Sequence, residues 1–178
     1  MTDRTVPDFY SAIRDVPDFP KPGILFKDIT PLLNDVDLFT AAIDEMAEQV
    51  RHLRPTHFAA IESRGFIFAG GMSERLGAGF IPVRKPGKLP WKVYSESYEL
   101  EYGSDQLQIH TDACGPNDRV VLVDDLLVTG GTAAAAVNLV RKTGAEVVAA
   151  SFVVELAALA GRAKLHGFEI HNLMCFED

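Results

Sequence analysis

Apolar and polar positions change period several times along the chain. A short helix is predicted from Phe9 to Val16, ending before Pro17, and a proline- and glycine-punctuated stretch follows from Asp18 to Leu33. Leu38, Ala42, Met46, Val50 and Leu53 then recur at helical spacing with Ile43 beside them, which predicts an amphipathic helix from about Asp37 to Leu53. After His57 the period shortens. His57 to Ser63 reads as a buried strand feeding a helix from Gly65 to about Leu76, and Gly79 to Lys85 is a second short apolar run. Between Lys92 and His110, two alternating and heavily polar stretches joined near Gly103 predict an exposed two-stranded ribbon outside the core. Arg119 to Asp125 is the strongest buried-strand signal, and it leads through a glycine-rich turn into an alanine-rich helix. Ala145 to Glu155 follows as another buried strand, then a helix from about Leu156 to Leu165 and a strand near Phe168 to Cys175.

Short apolar strands alternating with helices predict an α/β fold, a mostly parallel sheet flanked by helices, within one domain covering 1–178. Ligands of such sheets bind outside the carboxyl ends of the strands. The segments to inspect are therefore Glu62–Ser63–Arg64, Arg84–Lys85 and Asp124–Asp125.

A hydrophobic content of 47% is enough for an apolar core without disulfides or metals. Cys114 and Cys175 are far apart and lack metal-ligand spacing, and the five histidines show none either, which points to a reducing cytoplasm and no protein-built metal site. A formal net charge of −8 argues against nucleic acid as a partner but leaves room for a local basic cluster around a small anion. No apolar run is long enough to span a bilayer, so no membrane partner is expected.

The segment from Val120 to Thr132 carries the most information. A strand ends in two carboxylates, and a hydroxyl- and glycine-rich turn opens a helix. Free N–H groups at a helix start, with Thr129 and Thr132 beside them, suit a phosphate monoester. Asp124 and Asp125 would repel a bare phosphate. The conflict resolves if they accept hydrogen bonds from hydroxyls, or meet a cation, a few ångströms away; ribose 5-phosphate presents that pattern. Arg64, between a small residue and a glycine at a strand-to-helix turn, suits bidentate contact with phosphate oxygens. Arg84, Lys85 and Lys88 concentrate three cations on a loop stiffened by Pro86 and Pro90, and either pyrophosphate or an acidic neighbour would answer them.

The strand–Asp–Asp–Thr-Gly-Gly-Thr pattern resembles the phosphoribosyl-pyrophosphate-binding motif of the type I phosphoribosyltransferases. Phe19 to Leu33 and Ser97 to Gly103 are similar to the adenine branch of that family. The resemblance implies that adenine and phosphoribosyl pyrophosphate are converted to AMP and pyrophosphate, with Mg2+ held mainly through the substrate near Asp124 and Asp125. It implies that Asp124, Asp125, Val128, Thr129, Gly130, Gly131 and Thr132 bind the phosphoribosyl group. Ser63, Arg64, Arg84, Lys85 and Lys88 would hold pyrophosphate. Residues 1–35 would form a hood over the base, in which the Phe26 ring stacks on the purine and main-chain groups near Leu25 and Lys27 read its edge. Residues 92–110 would form a mobile catalytic loop, with Glu101 and Tyr102 beside the purine, closing to keep water from the electrophilic sugar. With Arg64, these two are the candidate catalytic residues. The resemblance also implies a cytoplasmic homodimer. Two other readings keep the phosphoribosyl site: a 6-oxopurine or xanthine transferase, and a non-catalytic sensor of phosphoribosyl pyrophosphate.

Overall fold

The computed structural model describes residues 7–99 and 103–177. Its centre is a five-stranded sheet built from β3 (His57–Ile61), β4 (Gly79–Val83), β7 (Arg119–Leu127), β8 (Glu146–Leu156) and β9 (Glu169–Phe176). Their order is β4-β3-β7-β8-β9, and every neighbouring pair is parallel. Both faces are covered, so the strands read as continuous apolar runs. Alternation divides their side chains between two cores. Phe58, Ala60, Val121 and Val123 face α2 (Val36–Arg51) and α3 (Gly65–Leu76), packing with Met46, Phe68 and Met72. Ala59, Ile61, Val120 and Leu122 face α4 (Gly131–Lys142), packing with Leu139 and Phe152.

The α2 helix starts because the Asp35 carboxylate accepts from the N–H groups of Asp37 and Leu38, and its buried stripe runs through Ala42, Ile43, Met46, Ala47 and Val50. The predicted helix over Gly65–Leu76 is found with those bounds, closed by Gly77 in the left-handed region.

Three expectations need correction. Residues 9–16 do not form a helix: a single 3-10 turn, Tyr10–Ala12, leads into β1 (Arg14–Pro17), which pairs antiparallel with β2 (Leu25–Asp28). So short a helix is marginal alone, whereas the hairpin supplies backbone partners at once. A short helix α1 (Thr30–Asn34) follows. Second, no α-helix spans Leu156–Leu165. β8 runs on to Leu156, and two 3-10 turns, Ala157–Leu159 and Gly161–Lys164, meet at Ala160, whose φ of 52° breaks helical continuation. Third, the ribbon β5 (Val93–Glu99) with β6 (Ser104–His110) is not wholly exposed, because Leu107 and Ile109 are fully buried in the second core. Its base is also joined to the sheet edge, where Arg84 and Gln108 exchange backbone hydrogen bonds of 3.0 and 2.7 Å.

Candidate functional site

From β3 the sheet extends one way to β4, and from β7 the other way to β8 and β9. The direction of build-up reverses between β3 and β7, and a crevice opens there at the carboxyl ends of the strands. The loop after β3 and the acidic end of β7 meet in that crevice at very close range. A Cβ at Gly65 would lie 2.8 Å from the Val123 carbonyl oxygen and 3.1 Å from an Asp124 carboxylate oxygen, so no larger residue fits. A cleft of about 330 Å3 results, lined by Glu62, Ser63, Arg64, Lys85, Tyr98, Asp124, Asp125 and Thr132 among others.

Beside it lies a smaller pocket of about 90 Å3, lined by Asp124 and by residues 126–133. Gly130 enters α4 with φ 74°, and no side chain caps this helix start. The first-turn N–H groups of α4 therefore border the pocket without a capping acceptor, and the helix dipole adds to their attraction for an anion. Val128, Thr129, Gly130, Gly131 and Thr132 are brought together there as the sequence predicts.

The two acids differ in surroundings. Asp125 is 7% exposed and accepts a hydrogen bond from Arg64 Nε. Asp124 Oδ1 accepts the Asp125 N–H at 2.9 Å, and its carboxyl is pushed well above the ordinary range, first by burial and then by the neighbouring Asp125 charge. Two hard carboxylates on one wall suit a cation that draws its remaining ligands from substrate phosphates. Among the described residues no group of three or more His, Cys, Asp or Glu could hold a metal unaided.

The predicted pyrophosphate residues divide. Ser63, Arg64 and Lys85 line the cleft, whereas Arg84 and Lys88 do not. Arg84 forks onto Glu62 with two 3.1 Å hydrogen bonds and donates to the Lys88 carbonyl at 3.2 Å. That guanidinium holds the Glu62 carboxyl below its usual range. Lys85 Nζ donates to an Asp105 carboxylate oxygen and, at 3.2 Å, to the Tyr98 hydroxyl. Burial opposes the Lys85 charge, but Asp105 and Tyr98 outweigh it and hold the ammonium above its ordinary value. The sequence reading gave no role to Tyr98 or Asp105 and named Glu62 only as part of a strand end to inspect. The one available signal was their alternation with serines and glutamines on the ribbon or their adjacency to a cation.

The hood reaches this crevice. Phe26 packs edge-on against Phe19 at 5.2 Å between centroids, and the Arg64 guanidinium lies 5.7 Å from the Phe26 ring centre. Leu25 is exposed, while Lys27 is buried, its Nζ donating to Asp15 at 2.8 Å and sitting 4.3 Å from the Phe176 ring centre. The Lys27 side chain is thus committed within the hairpin. Glu101 and Tyr102 lie outside the described residues.

A model of the phosphoribosyl transferase domain matches residues 33–175. The adenine phosphoribosyltransferase of Carboxydothermus hydrogenoformans is 54% identical over 167 residues, covering 94% of this chain and 98% of that protein. The chain belongs to the adenine phosphoribosyltransferase family. Its fold is shared with the crystal structure of the family member from Thermoanaerobacter pseudethanolicus, at TM-score 0.93 and 49% identity, covering 97% of this chain and 100% of the other. The Saccharomyces cerevisiae enzyme, crystallised with adenine and an imino-altritol bisphosphate, matches at TM-score 0.87 and 39% identity, over 90% of this chain and 94% of that one. The parallel sheet flanked by helices is therefore the type I phosphoribosyltransferase fold.

Proposed function

We propose that this chain transfers the phosphoribosyl group of phosphoribosyl pyrophosphate to N9 of adenine, releasing pyrophosphate and forming AMP. The observation that carries this reading is the uncapped start of α4 directly beyond two adjacent carboxylates at the switch of the sheet. The 5′-phosphate sits on the Val128–Thr132 turn, and Asp124 and Asp125 take the ribose hydroxyls. Their negative charge favours cationic character at C1′ in the transition state. Ser63, Arg64 and Lys85 receive pyrophosphate, and Arg84 and Lys88 act from behind: Arg84 fixes Glu62, whose carboxylate accepts the Lys85 N–H at 3.2 Å. Phe26 covers the base while backbone groups of Leu25 and Lys27 read its edge. Glu101 and Tyr102, which fall between β5 and β6 in sequence, lie beside the purine in this scheme. Asp124 and Asp125 would help hold a magnesium ion brought with the substrate, which would supply charge neutralisation for the departing pyrophosphate.

The hood, the catalytic loop and the sheet act as one catalytic unit, and two copies form a homodimer in the cytoplasm. The unpaired thiols of Cys114 and Cys175 agree with a reducing compartment. Among the described residues no helix is long and apolar enough to cross a membrane. The decisive experiment is AMP formation from adenine, phosphoribosyl pyrophosphate and Mg2+, with hypoxanthine, guanine and xanthine in parallel. Strong preference for adenine is expected. Turnover of an oxopurine alone would overturn the hood assignment, and binding of phosphoribosyl pyrophosphate without turnover of any base would make the chain a sensor.

A further inference from the structure

The phosphate turn has a rear wall that none of the assignments above uses. The segment after β8 returns across the back of the turn, backbone against backbone. A Cβ at Gly130 would lie 2.3 Å from the Gly161 carbonyl oxygen. A Cβ at Gly161 would lie 2.3 Å from the Val128 carbonyl oxygen and 3.0 Å from Leu127 Cδ1. Two glycines therefore face each other where the turn bends, and the path of residues 160–162 sets how far Val128 to Gly130 can move backwards.

That path is held by an ion pair of unusual completeness. Glu155, near the end of β8, is 5% exposed. Arg162 donates Nε to both of its carboxylate oxygens, at 2.7 and 2.9 Å, and Nη2 to one of them at 2.7 Å. The remaining Nη1 donates to the Ile170 carbonyl on β9 at 3.1 Å, and Asn172 Nδ2 completes the Glu155 shell. At the far end of the segment, Arg141 on α4 donates to the His166 carbonyl at 3.0 Å, and Leu165 is buried in the core that contains Leu127. A buried ion pair is weak evidence for stability, since an apolar pair of similar volume often does as well. What a fork-to-carboxylate contact provides is direction, because the planar guanidinium fixes where its own backbone lies.

We propose that Glu155 and Arg162 are positioning residues for the 5′-phosphate turn, acting through the Gly161 backbone. The inference rests on the assignment of that turn to the 5′-phosphate. It predicts a selective defect. Phosphoribosyl pyrophosphate and AMP carry the 5′-phosphate, whereas adenine and pyrophosphate do not.

The test is steady-state kinetics in both directions for Arg162→Met, Arg162→Lys, Gly161→Ala and Thr132→Ala, alongside thermal midpoints. In Arg162→Met and Gly161→Ala, KM for phosphoribosyl pyrophosphate and for AMP should rise together, roughly ten- to a hundredfold, as expected for a small displacement of a positioning element. KM for adenine and pyrophosphate should hold. Arg162→Lys should recover part of the loss. Should Arg162→Met fail to fold with Glu155 left unpaired, the paired change Glu155→Gln with Arg162→Met removes both charges and carries the same prediction. Unchanged KM for both phosphorylated substrates in folded Arg162 variants overturns the inference, as does an equal rise for all four. If Thr132→Ala also leaves them unchanged, the assignment of the turn itself fails; if Thr132→Ala raises them and the Arg162 variants do not, only the positioning role fails.

Discussion

Asp124 and Asp125 are neighbours on β7, yet their environments separate their roles. Asp125 is paired to Arg64, whereas Asp124 accepts the Asp125 N–H, is deeply buried and has a like charge beside it. A carboxyl whose folded pKa is raised favours the folded state most below its unfolded pKa, near the ordinary value of 3.8, and that contribution is lost as pH rises through the folded value. Asp124→Asn should therefore melt higher than the parent at pH 7.5, with a smaller difference at pH 4, while AMP formation falls about 10²–10³-fold. Equal melting shifts at both pH values would contradict the electrostatic reading. Glu62 runs with the opposite sign. Its folded pKa is depressed by Arg84, so its contribution is present above the ordinary value of 4.5 and disappears as pH falls below it. Removing the partner with Arg84→Met should thus lower the melting point most near pH 6 and least near pH 3, flattening the acid limb between them. Replacing Lys85 with alanine should raise KM for phosphoribosyl pyrophosphate and pyrophosphate but not for adenine. The sequence made the turn from Val128 to Thr132 legible as a unit because its residues are contiguous. It could not announce the Arg64–Asp125 pair, whose members stand 61 residues apart and meet only once the sheet has formed.

At the scale of elements, periodic helices and continuous apolar strands were readable, and short segments with a weak pattern were not. α2 and α3 repeat their apolar positions over several turns, whereas residues 9–16 offered too few to separate a helix from a hairpin. The ribbon misled for a different reason. Only Leu107 and Ile109 are apolar on β6, and their burial comes from α4 and the sheet edge, neither of which is local in sequence. Leu107→Ala should cost about 2–5 kcal/mol in chemical denaturation, the range for an emptied core site. A cost near zero would return the ribbon to the surface. Polar ties reinforce this docking, since Glu96 accepts from Asn138 at 3.1 Å and pairs with Lys142 on α4.

For the molecule as a whole, the order of strands decides where chemistry can occur. The reversal between β3 and β7 brings a cationic loop, two acids and a helix start to one crevice, and the alternation of β7 seats that crevice between two independent cores. Its outer surface includes Ile67 and Phe80, both exposed, the latter packed on Phe66. Light scattering should give a mass twice the 19.5 kDa of the chain if the homodimer is right.

Three cations that line or flank the cleft are each joined to a carboxylate: Arg64 to Asp125, Arg84 to Glu62 and Lys85 to Asp105. An arriving anion therefore does not meet naked positive charge; it has to compete with a tethered one. Chloride or acetate, with a single charge, has little to offer in such a contest. A polyanion that can engage two cations at once, and bring its own metal to satisfy the acids it evicts, wins on both sides of the trade. On the proposed assignment, pyrophosphate esters should then be selected over the commoner salts of a cell because the protein acts as its own first inhibitor.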